Sequence, residues 1–230
     1  MESWRVCIPT GLIEASYIRK KVPLDVSLSP VWYLFALKRE TRGVRRTDVR
    51  IEVIGMGPDA ARANTERLLR ASPPPSRIVS VGICGGLRDG SNVGDLIVPC
   101  EVVTADGQSW KCEPIALPAT GRLLTVNRIV SSVEEKRRLH IEHAADIVDM
   151  EAASIAAICA ERGIPFAAIK AISDTASENL PTELEQIAPN GQVRIGKLLL
   201  AMCNRPRLIG DLLRLQRTTS IAIARLSEVA

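Results

Sequence analysis

The strongest constraint on this 230-residue chain is a repeated change of period: short apolar runs that break at glycine or at an acid, each followed by a helical pattern. Runs at residues 5–8, 49–54, 77–82, 96–103, 147–148 and 166–172 read as strands. Helical spacing follows at 58–71, 132–143, 150–162 and 193–202, and again near 208–215. Strands that take turns with helices pack as layers, so the expected class is α/β. Pro73-Pro74-Pro75 breaks a helix from a strand and is too short for a linker. No internal repeat is visible. The expected organisation is one domain over residues 1–204, with a basic, leucine-rich helical tail over 205–230 packed on or beside it.

Composition removes other classes. Apolar residues make up 46% and charged residues 24%, which excludes disorder, collagen and coiled coil. No apolar run approaches the roughly 18 residues of a spanning helix; the longest compact one covers residues 31–37. The start, MESWRVCIP, lacks the charged and apolar regions of a signal peptide. A net charge of +4 and 3% aromatic residues argue against a nucleic-acid partner. The six cysteines form no CxxC pair, so they read as reduced thiols of a cytoplasmic protein. His140 and His143 stand in HIEH, not in the zinc pattern HExxH, and no GxSxG elbow is present; no metal is expected. Charge is uneven: residues 194–230 hold seven basic and two acidic side chains. That tail reads either as a helix capping the sheet or as a membrane-surface contact through arginines and leucines.

Four motifs can carry chemistry. Gly55-Met56-Gly57-Pro58-Asp59-Ala60 fits GxGxxA. A dinucleotide site also needs an acid about 20 residues on, and none occurs from Arg67 to Arg88, so a nicotinamide cofactor is rejected. What remains is a tight turn into a helix, with Pro58 at its first position and N–H groups able to face an anion or a sugar. Gly82-Ile83-Cys84-Gly85-Gly86-Leu87 also follows a strand, and its glycines allow close approach of a ligand. In Val148-Asp149-Met150-Glu151 the acids suit either a helix cap or a ligand. In Ala171-Ile172-Ser173-Asp174 an apolar run ends in a pair suited to a turn or to a ligand crevice, which in open α/β sheets lies at the carboxyl ends of strands.

In this order, GMGP, GICGGL with VGDLIVP, VDMEA and PFAAIKAISDTA, the motifs resemble the purine nucleoside phosphorylase and methylthioadenosine/adenosylhomocysteine nucleosidase superfamily. Within it, GICGGL, DMEA, ISDTASENLP and Asn204-Arg205-Pro206-Arg207 before a leucine-rich tail are most similar to the hopanoid-associated phosphorylases, also described as adenosylhopane nucleosidases. The resemblance implies a three-layer αβα sandwich around a central mixed sheet, usually in homo-oligomers, with no cofactor and phosphate as a possible co-substrate. It implies that Asp174 protonates or hydrogen-bonds the purine at N7, with Ser173 beside it. Glu151 then binds ribose hydroxyls, Met150 packs on the sugar, and Gly85 and Gly86 let substrate approach. Glu14 falls near the glutamate that activates water, although its spacing from Gly11 is short. Family members often carry Ser or Thr where this chain has Ile83, which donates no side-chain hydrogen bond; phosphate, for which Gly57 is the candidate contact, is thereby weakened against water.

The expected reaction is cleavage of the N-ribosidic bond of a 5′-substituted adenosine, with adenosylhopane or a small thioadenosine as substrate. A non-catalytic nucleoside-binding protein is the alternative. Positive charge builds on the sugar, as in glycoside hydrolysis. A neutral Asp174, held so by burial, would protonate the base. With a lipid substrate, residues 31–37 and the tail would lie against a membrane; the other reading is core packing for Trp32–Phe35 and a capping helix for the tail.

Overall fold

The computed structural model describes residues 30–184 and 208–229. The strand expected at 5–8, the helix at 193–202 and Glu14 lie outside the described residues. The described elements run β1 (Val31–Phe35), a 3-10 turn (Lys38–Thr41), β2 (Val49–Val53), α1 (Pro58–Ala71), β3 (Arg77–Gly86), β4 (Leu96–Ile97) and β5 (Glu101–Thr104). They continue with β6 (Ser109–Lys111), β7 (Arg122–Thr125), α2 (Val133–His143), β8 (Ile147–Asp149), α3 (Ala152–Arg162), β9 (Phe166–Asp174) and α4 (Leu208–Leu226).

All nine strands join one mixed sheet that branches at β3. Along its length β3 pairs in parallel with β1 on one side and β9 on the other, while its last two residues pair antiparallel with β8. From β8 the sheet continues through β7 and β5 to β6. One face is covered by α1 and α3, whose Ala61, Leu68, Ile155 and Ile158 join Trp32, Leu34 and Ile78 in one core. On the other, Ala222 and Leu226 of α4 pack with Tyr33, Phe35, Val81 and Ile169. These are the three layers of an αβα sandwich, and they explain the residue pattern: every residue of β9, FAAIKAISD, is buried because both faces are covered.

That double burial corrects the membrane reading of residues 31–37. Trp32, Tyr33, Leu34 and Phe35 are buried in β1, between β2 and β3. A run without a polar face is the signature of a strand covered on both sides, and it is as apolar as a lipid-facing one. The single strand expected at 96–103 is two, β4 and β5, separated at Pro99, which has no N–H for a ladder. The short strands β6 and β7 carry too few residues to show a period. The tail helix runs past 215 to Leu226 and packs on β3 and β9. Among the described residues no helix is long and apolar enough to cross a membrane.

Phe35→Ala tests the placement of β1. Phe35 is 0% exposed, so its removal is expected to destabilise the protein by about 3–5 kcal/mol in denaturant unfolding. An unchanged midpoint would return the segment to the surface.

Candidate active site

The carboxyl ends of β1, β3, β8 and β9 converge on one cavity of about 400 Å³. Its polar wall holds Glu40, Glu151, Ser173 and Asp174, and its apolar wall includes Leu180 and Leu184 with Leu212 and Leu215 of α4. Ile83, Gly85 and Met150 also line it. Strands bring these groups together from residues more than 130 positions apart, as a branched sheet with a shared crevice does.

A buried ionic hub fixes the floor. Asp149 at the end of β8 accepts from Lys170 Nζ of β9 at 2.8 Å, from the Thr125 hydroxyl of β7 at 2.7 Å and from Ala152 N of α3 at 3.1 Å. The last bond ties the first residue of α3, which starts two residues later than expected, to the hub. Lys170 also donates to Ser80 Oγ of β3 at 3.0 Å. Burial opposes the Lys170 ammonium, but the charges of Asp149, Glu151 and Glu40 outweigh it and raise its pKa.

Beside the hub, Glu151 Oε1 accepts from Gly57 N at 2.7 Å. Gly57 sits at φ 91° just before α1, a left-handed-side backbone that only glycine adopts freely, so the GMGP turn is shaped to present this N–H. Burial, then the charge of Asp149, pushes the Glu151 pKa from 4.5 to about 7, against Lys170 and the Gly57 N–H. Gly57, the candidate phosphate contact, is therefore occupied by a carboxylate.

Asp174 Oδ2 is 2.6 Å from Lys136 Nζ of α2, and the Ser173 hydroxyl donates to Asp174 Oδ1 at 2.8 Å. A Cβ on Gly85 would come within 3.2 Å of Asp174 Oδ2, so the glycine leaves that carboxyl open to the cavity. Gly86 plays a different part from the one expected. It packs behind the wall, where a Cβ would meet Ser91 Oγ at 2.8 Å and the Asp174 carbonyl at 3.3 Å. The sequence suggested a carboxyl surrounded by apolar burial; in the structure the Lys136 ammonium touches it.

Sequence reasoning missed Glu40. It lies on the 3-10 turn just after β1, buried, with Oε2 accepting from Leu37 N at 2.9 Å and Oε1 from Ile83 N at 3.4 Å. Burial raises its pKa, opposed by the Leu37 N–H and by Lys170. The signal was available: had residues 31–37 been read as a strand, the strand-end rule would have placed this acid in the crevice.

The raised Glu151 makes ionisation costly to the fold. Because its folded pKa lies above the ordinary value, stability falls as pH climbs from 4.5 through about 7. Glu151→Gln, which keeps an acceptor for Gly57, is expected to gain on wild type across that window. Above it, the gain should reach about 1–3 kcal/mol in melting experiments. A difference that stays constant with pH would contradict this.

Comparison with known proteins identifies the family. The model of the phosphorylase superfamily matches residues 36–111 and 114–204. The 5′-methylthioadenosine/S-adenosylhomocysteine nucleosidase of Haemophilus ducreyi is 28% identical over 218 residues, spanning 81% of this chain and 92% of the relative. The crystal structure of the Helicobacter pylori 5′-methylthioadenosine/S-adenosyl homocysteine nucleosidase superposes with a TM-score of 0.65 at 15% identity, covering 89% of this chain and 97% of that one. The futalosine hydrolase of Helicobacter pylori shares the fold as well, with a TM-score of 0.61, 16% identity, and 87% and 97% covered. With the family match spanning β2 through β9 and all four motifs singled out in the sequence, the chain belongs to the phosphorylase superfamily.

Proposed function

We propose that this chain hydrolyses the N-ribosidic bond of a 5′-substituted adenosine and releases adenine. The observation that carries the reading is the set of three buried carboxylates, Asp174, Glu151 and Glu40, that open on one cavity from different strand ends. In this reading Asp174 faces the purine and delivers a proton to N7 as the glycosidic bond breaks. General acid help of this kind contributes about 10²–10⁴-fold. Glu151 grips the ribose hydroxyls through charge-assisted bonds and places negative charge near the developing oxocarbenium ion. Glu40, held by two backbone N–H groups and raised by burial, takes the proton of the attacking water. Glu40 is assigned this role because it lines the cavity; Glu14, which the resemblance offered for it, lies outside the described residues.

Water is favoured over phosphate by the occupied donors. The Gly57 N–H is bonded to Glu151 and the Ile83 N–H to Glu40. Two backbone groups that might cradle an anion thus already hold carboxylates, which would repel one. The named activity of the Haemophilus ducreyi relative supports the same reaction class.

The leucine wall suits an apolar 5′ group, and a cavity of about 400 Å³ lies toward the lower end of small-molecule sites. A thioadenosine with a small substituent is therefore the first substrate class. A lipid-linked adenosine such as adenosylhopane is the second, favoured by one observation: α4, whose inner face lines the cavity, leaves Ile209, Leu213 and Ile221 exposed on its outside.

Chromatography of 5′-methylthioadenosine incubations is expected to show adenine at equal rates with and without phosphate. Glu40→Gln should lower kcat by about 100-fold or more with KM within about threefold. Strict dependence on phosphate, or normal turnover in the glutamine variant, would overturn the hydrolytic reading.

A further inference from the structure

Lys136 is a lysine that the reaction above does not use. Its side chain is 0% exposed, and its ammonium meets three acceptors: Asp174 Oδ2 at 2.6 Å, the Thr175 carbonyl at 2.7 Å and the Glu178 carbonyl at 3.0 Å. Three N–H donors thus find three oxygens. A buried ammonium is costly unless paired and hydrogen-bonded, and this one is both. The two carbonyls accept only, so a neutral amine would keep both of its N–H groups on them after its third proton has gone to Asp174.

The surrounding charges leave Asp174 as the carboxylate that Nζ touches. The Glu178 carboxylate pairs with Arg214 of α4 and accepts from Thr175 N. Asp211 and Arg214 of α4 border the small recess behind Asp174. On α2 itself, Glu135 pairs with Arg128. The Cys84 thiol, also near Asp174, is pushed well above its ordinary range by burial and stays protonated.

We propose that Lys136 supplies, through Asp174, the proton that the leaving adenine takes up. This rests on the hydrolytic reading of the site. As the C1′–N9 bond breaks, its electron pair goes to the base. Nζ passes a proton to the Asp174 carboxylate, which hands it on to N7 and is a carboxylate again; Nζ becomes a neutral amine held by Thr175 and Glu178. Water adds to C1′ and its proton goes to Glu40. After adenine leaves, solvent returns a proton to Nζ and Glu40 releases one, so the cycle balances. Lys136 touches no reacting atom; it is a positioning residue that acts through Asp174.

The test is the pH profile of kcat for the full chain and two variants, with adenine release as the readout. In Lys136→Met, Asp174 must draw its proton from solvent. Its rate is expected to stay near wild type at low pH and to fall by about tenfold per pH unit on the alkaline side, reaching at least about 100-fold near pH 8.5. KM should stay within about threefold. Lys136→Arg keeps the charge but does not release its proton, so it is expected to be slow at every pH. Combined with Asp174→Asn, either variant should add no further loss. A loss in Lys136→Met that is parallel at all pH values, or recovery of activity in Lys136→Arg, would overturn the proposal and leave Lys136 a structural ion pair. Absence of adenine release by wild type would instead overturn the hydrolytic reading itself.

Discussion

The Asp149–Lys170 ion pair is the constraint on which the rest of this molecule depends. A charge of either sign alone at the centre of an αβα sandwich would cost several kcal/mol, and removing one partner of such a pair is strongly destabilising. Its geometry therefore has to be met by every element that touches it. Asp149 ends β8, Thr125 ends β7, Ala152 opens α3, Lys170 lies in β9 and Ser80 in β3. Any slip of register among these would strand a charge. The pair thus locks the branch point of the sheet, and the crevice opens there.

From that hub the functional carboxylates inherit their character. Glu151 and Glu40 lie close enough to the shared charges to feel Lys170, yet are buried enough that desolvation dominates both. The result is two acids that hold protons nearer neutrality than exposed ones do. Asp174 stands apart, on its own lysine, at the far side of Gly85. Two lysines thus serve separate acids on two sides of one cavity. Placing acids in different surroundings is how one pocket comes to hold both a proton donor and a proton acceptor.

Much of this was legible in the residues. The strands at β2, β3, β8 and β9, the helices α1 to α3, Pro58 opening α1, and the strand-end positions of Glu151 and Asp174 all follow from local chemistry. What stayed hidden depends on long-range packing. Nothing local distinguishes a doubly covered strand such as β1 from an apolar surface run, and that ambiguity concealed Glu40. Lys136 and Lys170 were invisible for a different reason: a lysine in a helix or a strand is ordinarily solvated, and only the folded sheet shows that each faces a buried carboxylate. Gly57 and Gly86 were read as ligand contacts, whereas one shapes the turn that holds Glu151 and the other makes room behind Asp174.

The most direct test of this account is a crystal structure with a non-hydrolysable 5′-methylthioadenosine analogue in the cavity. The account predicts purine N7 within hydrogen-bond distance of Asp174, ribose hydroxyls on Glu151, and an ordered water between Glu40 and C1′. A purine bound away from Asp174, or a sugar that leaves Glu151 without a contact, would contradict it.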